Sequence, residues 1–406
     1  MGVHQSELYK VSGQVLELID RFGVRTSLGS VAGAGRCGLA SDGTNLVIAT
    51  GERRYQYNGT LTEITDADHQ PGYSVAFLNR QMIYDGEGGS FWVADVNDPD
   101  SINALNFATA ESRPDDSLLA YAFRNNMVFI FGEASVEGWY NDPSASNPAY
   151  TRVDGSIHPI GAMTPWVVVD DRRAMYFLGH DRHIYRMVDF DLQQITPVAM
   201  ESFLETEDLS DSFGECINYG GQYHYILTCP RAGKTWGIPV LDPVNAFQLS
   251  TGIKRDRYLM NSYAYCYGKH LVSDYRNGSV YELDEKTFTD GGESRLVERA
   301  LGPINAEALG QTGAEITMNR FEYVMETGVG VGDTKAQAQV DLSFDGGASW
   351  TNEDWVSLGE EGQRAVVRHD AVRTAKDIIP RMRITEAVKV SLHSAAIHAK
   401  IVRNSL

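Results

Sequence analysis

The chain has 406 residues, of which 43% are hydrophobic and 22% charged. That excludes disorder along the whole length, and at roughly 100–200 residues per domain it suits two or three domains, or one repeat fold with an appendage. Lysine and arginine number 35 against 54 aspartates and glutamates, a net charge of −19, which is the wrong sign for a surface that grips nucleic acid or an anionic membrane by charge.

Glycine is plentiful at 39, tyrosine stands at 20 and proline at 13, a composition suited to many short strands and tight turns. No run of about 18 apolar residues occurs, so no membrane span is expected. The first residues, Met1-Gly2-Val3-His4-Gln5-Ser6-Glu7, lack the basic-then-apolar order of a secretory signal.

Along the chain, short aromatic and β-branched runs recur between Gly, Asn and Asp. They include Leu46-Val47-Ile48-Ala49, Ser90-Phe91-Trp92-Val93-Ala94, Met127-Val128-Phe129-Ile130-Phe131, Met175-Tyr176-Phe177-Leu178, Tyr223-His224-Tyr225-Ile226-Leu227 and Lys269-His270-Leu271-Val272. A second strand centred on Tyr55, Trp139, Tyr185, Trp236 or Tyr281 follows most of them. A repeat of about 40–50 residues holding three or four strands predicts a β-propeller blade. The expectation is an irregular propeller of about six blades, to within one, over residues 1–305. Asn58-Gly59 and Asn277-Gly278 fit type I′ hairpin tips, where both residues need positive φ. Short helices are expected at 99–109 and 196–211.

After Gly302-Pro303 the rhythm changes. Five runs alternate apolar and polar residues, beginning at Arg320, Ala338, Arg364, Arg381 and Ala396. Half-buried antiparallel strands read this way, so 306–406 is expected to form a separate β-sandwich, with Gly328-Val329-Gly330-Val331-Gly332-Asp333 as a loop within it. The whole chain is thus all-β.

Several segments mimic chemical motifs. Gly33-Ala34-Gly35-Arg36-Cys37-Gly38 has the spacing of a dinucleotide loop, but a turn and a strand follow it where a helix would have to hold the pyrophosphate. Gly233-Lys234-Thr235 lacks the first glycine of a phosphate loop, because position 228 is Thr228. His180-Asp181-Arg182-His183 fits a hairpin tip, and no third or fourth metal ligand can be placed beside it. Asp95, Asn97, Asp98 and Asp100 fail the EF-hand pattern at its glycine position. Cys37, Cys216, Cys229 and Cys266 form no Cys-x-x-Cys pair. A turn at Gly220-Gly221 would set Cys216 opposite Tyr225, so all four read as buried thiols of a protein folded in a reducing cytoplasm. No catalytic, cofactor or metal residues are assigned.

Ser343-Phe344-Asp345-Gly346-Gly347-Ala348-Ser349-Trp350 resembles the Asp-box of sialidase-type propellers, there a folding element in which the Asp caps the turn and the Trp packs beneath it. Ser343, Asp345, Gly347 and Trp350 are therefore the expected structural site. One copy, in the sandwich, points to a hairpin and not to an active site.

Three stretches in order resemble the packaged-DNA stabilisation proteins, or tail hubs, of short-tailed bacteriophages. They are Gly29-Ser30-Val31-Ala32-Gly33-Ala34-Gly35-Arg36 with its continuation to Tyr55-Gln56-Tyr57-Asn58-Gly59-Thr60; Ala110-Glu111-Ser112-Arg113-Pro114-Asp115 followed by Phe129-Ile130-Phe131-Gly132-Glu133-Ala134-Ser135-Val136-Glu137; and Leu342-Ser343-Phe344-Asp345-Gly346-Gly347 with Arg381-Met382-Arg383-Ile384-Thr385. In that family an N-terminal extension precedes the strand that corresponds to Leu8-Tyr9-Lys10, and the contacts it makes are not carried over. The resemblance implies a non-enzymatic virion protein of the tail, assembled in the host cytoplasm as a hexameric ring below the portal and head-to-tail adaptor. That ring would retain packaged DNA, form the ejection channel through which the genome passes without specific binding, and anchor tailspikes or fibres and a needle or plug. The alternative is a carbohydrate-active propeller, sialidase-like or a lectin, supported by the Asp-box and the abundant aromatics and carboxylates.

Overall fold

The computed structural model describes residues 1–87, 89–110, 118–124, 127–145, 148–171, 173–253, 256–326, 336–358 and 364–402. The expected loop at 328–333, residues 111–115 of the second family-like stretch, and Arg172 lie outside them. Two compact units result, 1–249 with 257–283, and 250–256 with 284–406.

In the first unit the described residues build seven antiparallel sheets, one more than the expected six. Their first strands are Gly2–His4, Gly38–Ser41, Val75–Leu78, Leu118–Arg124, Val169–Asp170, Phe213–Tyr219 and Met260–Cys266. Each of these touches the next around a ring, and Met260–Cys266 returns to Gly2–His4. The blade the rhythm misses is the first, at 2–30: its second strand, Glu7–Ser12, carries Leu8-Tyr9-Lys10 in place of a long apolar run.

The long apolar runs are second strands with both faces covered, except Ser90–Asp95, which is the third strand of its blade. In Met127–Gly132, Val128 and Ile130 pack towards the third blade with Ile83, Phe91 and Val93. Phe129 and Phe131 point the other way, to Met175, Phe177 and Leu178 of the fifth. Leu46 and Ile48 likewise face Tyr9 and Leu16, while Val47 faces Met82 and Tyr84. The aromatic markers are third strands paired with these runs: Tyr55 opposes Ile48, Trp139 opposes Val128, Tyr185 opposes Phe177, Trp236 opposes Leu227 and Tyr281 opposes Val272.

Three local expectations change. Residues 99–109 belong to a strand, Asp98–Thr109, whose buried Ile102 and Asn106 mimic a helical period because bulges interrupt its pairing with Ser90–Asp95. Asn58-Gly59 and Asn277-Gly278 do sit at hairpin tips, but only the glycines have positive φ, at 103° and 70°. Tyr57 pairs with Leu61 across a three-residue loop, and Asp274 pairs with Ser279 across a four-residue one. These tips are not type I′ turns, because that type has two residues, both at positive φ. The expected helix at 196–211 is present as Val198–Thr206, with Met200 and Leu204 buried against the fifth and sixth blades. The His180–His183 tip serves that helix. Arg182 donates from Nη1 to the carbonyls of Leu204 (2.6 Å), Glu205 (3.3 Å) and Glu207 (3.0 Å), which the helix leaves unpaired.

The second unit is a sandwich. One sheet runs in the order Val297–Ala300, Asp377–Ile384, Gln337–Ser343, Asp354–Ser357; the other runs Arg364–Ala375, Glu315–Glu326, Ser391–Val402. Ile316, Met318, Phe321, Tyr323 and Met325 of the second sheet meet Ala338, Val340, Leu342, Ile378, Met382 and Ile384 of the first. Alternate residues of Asp377–Ile384 are buried, as expected for a sheet with one covered face.

The propeller closes without strand exchange, since its first and last blades are each continuous in sequence. Leu8 and Ile19 pack on Ala264 and Cys266. Tyr267 joins the two blades: its hydroxyl donates to the Ile19 carbonyl at 2.8 Å and accepts from the Leu8 N–H at 3.1 Å. It holds this position at φ 58°, a left-handed conformation uncommon for a bulky residue. We expect Tyr267→Phe to lower stability by about 1–3 kcal/mol, the range for stranding buried backbone groups. Denaturant unfolding measures this, and an unchanged midpoint would show that the seam does not depend on the hydroxyl.

Candidate functional site

The Asp-box-like turn joins Gln337–Ser343 to the strand that starts at Asp354. Asp345 organises it by accepting at Oδ1 from the Ser349 N–H (2.8 Å) and the Ser343 hydroxyl (2.8 Å), and at Oδ2 from the Ser349 hydroxyl (2.6 Å). Ser343 Oγ in turn accepts from the Gly347 N–H at 2.9 Å. Gly346 and Gly347 have φ 74° and 94°, which only glycine adopts without strain. The hydrogen bonds from Ser349, with help from Ser343, hold the Asp345 carboxyl down at about 2.

Trp350 is half-buried and not enclosed beneath the turn. Its ring is covered by the Arg381 guanidinium, 3.7 Å from the centroid. Arg381 is held by the buried Asp341, donating from Nε at 2.9 Å, and Arg383 reaches the same carboxylate at 3.0 Å and also pairs with Glu353. The period of two sets Arg381 and Arg383 on the outer face while Met382 and Ile384 enter the core. The turn is therefore locked to the neighbouring strand by a stacked, ion-paired cluster. Asp341 and Glu353 carry no recognisable spacing in the sequence.

The other singled-out segments take structural positions. Gly33–Gly38 links the first two blades, Gly233 turns a hairpin at φ 63°, and Cys216 lies opposite Tyr225. Asp95 accepts from the Ser101 hydroxyl at 2.7 Å, and Asn97 turns the same hairpin at φ 59°. Among the described residues no group of His, Cys, Asp and Glu could hold a metal ion.

Of the adjacent basic pairs, Arg53-Arg54 is split. Arg53 bridges to Glu63 on the surface, whereas Arg54 is 1% exposed. Arg54 donates from Nη2 to the Asp85 carboxylate at 2.5 Å and to its backbone carbonyl at 2.8 Å, which ties the second blade to the third. Burial, with Arg54 alongside, pushes His69 down to about 3, so it is neutral there. Arg173 stacks over Tyr223 at 3.9 Å. Sequence reading missed Arg54 as a core residue, since nothing in its neighbours distinguishes it from Arg53.

One cavity of about 760 Å³ lies at the seam of the propeller, between the first blade, the 33–35 link and the last blade.

Two outcomes are expected for the turn. Trp350→Ala should cost about 1–2 kcal/mol, the scale of a partly desolvated cation–π contact and below the roughly 3–5 of a buried aromatic. Because the folded Asp345 carboxyl lies below its ordinary value of 3.8, its contribution is complete above that value and is lost as the pH falls towards about 2. Thermal unfolding from pH 4 to 2 should therefore fall less steeply in Asp345→Asn than in the native chain; equal slopes would deny the carboxylate this role.

The propeller model of the bacteriophage P22 Gp10 family matches residues 2–288, and the β-sandwich model of the same family matches 304–400. No curated protein matches. Among solved structures, BamB from Moraxella catarrhalis is 9% identical with a TM-score of 0.40, covering 70% of this chain and 84% of that one. A Kluyveromyces lactis Hsv2 with loop 6CD replaced by a Gly-Ser linker is 11% identical with a TM-score of 0.38, covering 62% and 78%. Likeness at these scores carries no functional argument. The two family matches follow one another along nearly the whole chain, in the order of its two folded units, and so the chain belongs to the bacteriophage P22 Gp10 family of packaged-DNA stabilisation and tail-hub proteins.

Proposed function

We propose that this tail-hub protein forms a six-membered ring below the portal and head-to-tail adaptor, assembled in the host cytoplasm and carried in the virion tail. The ring retains packaged DNA, frames the ejection channel, and anchors tailspikes or fibres and a needle or plug. The propeller and the sandwich act as its two structural domains, and no catalytic step is assigned to either. The observation that carries this reading is the ordered match of both family models. Head-to-tail contacts between identical chains close a ring when the rotation permits.

The charge supports passage of DNA without adhesion. Many described cations are already matched with carboxylates: Arg231 with Asp208, Lys269 with Glu282, Arg320 and Arg368 with Asp370, and Lys389 with Glu326. Non-specific DNA affinity comes from several phosphate contacts on one surface that release counterions, and these side chains would have to break their pairs to make them.

Reconstruction of the intact particle without imposed symmetry should show six copies in the tail, and five or twelve would refute the ring. Gel-shift titration of the isolated protein with duplex DNA at about 0.15 M salt should show no submicromolar binding. Tight binding that weakens steeply with added salt would reveal a basic face and overturn the non-adhesive channel.

A further inference from the structure

We propose that the seam cavity of the propeller is a binding pocket for a neutral saccharide. At about 760 Å³ it falls within the roughly 300–1,000 Å³ of small-ligand sites. Its wall gathers the turn after Glu7–Ser12, the 33–35 link and the loop that follows Lys269–Asp274. Loops collected at one end of a rigid scaffold are where ligand contacts are commonly carried.

The wall chemistry selects the ligand class. Asn261 lines the cavity with an amide, Gln14 and Asn277 with amides that each make one contact to backbone, Ser12 with a hydroxyl, and Tyr275 with a ring, while the Ser262 hydroxyl is bonded to that of Ser273 at 2.7 Å. Tyr275 is 39% exposed even though the Arg257 guanidinium lies 3.6 Å from its ring centroid. Val11 and Ala34 are the wall's aliphatic side chains, too little apolar surface for a lipid or a drug-like aromatic. Gly278, at φ 70°, brings backbone into the wall where a Cβ would meet Ser12 Oγ at 3.1 Å and Lys10 Nζ at 3.4 Å.

The charged side chains of the wall already have partners, Asp274 and Arg276 in each other and Lys10 in a backbone carbonyl. The buried Asp274 accepts from Arg276 at 2.8 Å, and Lys10 donates to the Gly278 carbonyl, which also receives Arg25 at 3.2 Å. Burial raises the Asp274 carboxyl, but its hydrogen bonds from Arg276 outweigh that and keep it below its ordinary value, hence anionic. An anionic ligand would have to displace these contacts. A neutral ring bearing many hydroxyls would not: amides and hydroxyls serve it as both donors and acceptors, and an aromatic face suits its C–H surface. The inference is independent of the ring proposed above.

The test is ligand-observed saturation-transfer NMR on the full chain with a panel of probes. The panel holds glucose, galactose, mannose, rhamnose, fucose, N-acetylglucosamine, N-acetylgalactosamine and their common disaccharides, with glucuronate and inorganic phosphate as anionic arms. At least one neutral sugar should give transfer. Titration should then show binding weakened at least tenfold by Tyr275→Ala and by Asn261→Ala, and retained in Tyr275→Phe. Should Tyr275→Ala unfold, Gln14→Ala and Asn277→Ala, both at exposed positions, make the same measurement. Tyr265→Ala, which removes an aromatic 58% exposed but outside the cavity wall, should leave binding unchanged. The proposal fails if no neutral sugar binds at millimolar concentration, if only the anions bind, or if binding survives the cavity variants.

Discussion

A β-sheet that is apolar on both faces must be covered on both faces, and most of the first unit follows from that requirement. Val128 and Phe129 are neighbours in the chain yet belong to different cores, and so are Val47 and Ile48. Each blade is therefore filled only when it stands between two others. A row of such sheets has an uncovered face at either end, which a ring removes. Seven sheets close it here, with Leu8 and Ile19 meeting Ala264 and Cys266. The sandwich meets the same constraint differently. Its strands alternate, so two sheets facing one another suffice, with Phe321 and Tyr323 set against Val340 and Met382.

Two of the charged clusters that this packing buries are ion-paired. Arg54 enters the space between two blades only because Asp85 accepts its guanidinium there, and breaking such a buried pair leaves an uncompensated charge. Asp341 does the same for Arg381 and Arg383 in the sandwich. In both places the charge fixes the relation between two strands and is withdrawn from the surface. These arginines are then not left for phosphates.

Much of the fold is legible because burial writes period and composition directly into the chain. Runs such as Phe129-Ile130-Phe131 mark second strands, and the aromatic that follows marks the third. Residues 315–326 alternate with a single slip at Asn319-Arg320, where a bulge falls. The first blade escapes because Leu8-Tyr9-Lys10 is short and ends in a charged residue, and 99–109 misleads because bulges break the two-residue period. The Asp-box was legible as a turn, since its Asp, Ser and Gly act on near neighbours. The packing of Trp350 was not, because Arg381 arrives from a strand far along the sequence. Tyr267 and the seam cavity share that difficulty, being defined by groups brought together only when the ring closes, and Arg54 depends on Asp85 of the next blade.

The way the propeller closes bears on how it is made. Because no strand is shared between the two ends of the ring, every sheet is complete as soon as its own segment has left the ribosome. The blades can then be laid down in order, each finding one face already prepared by its predecessor. The entropy of joining distant parts of the chain is deferred to a single late event, the meeting of residues 260–267 with residues 2–19. That event needs side chains from both ends and no rearrangement of hydrogen-bonded strands, so a chain interrupted before it would hold a partial arc of finished sheets and not an unpaired strand searching for a partner.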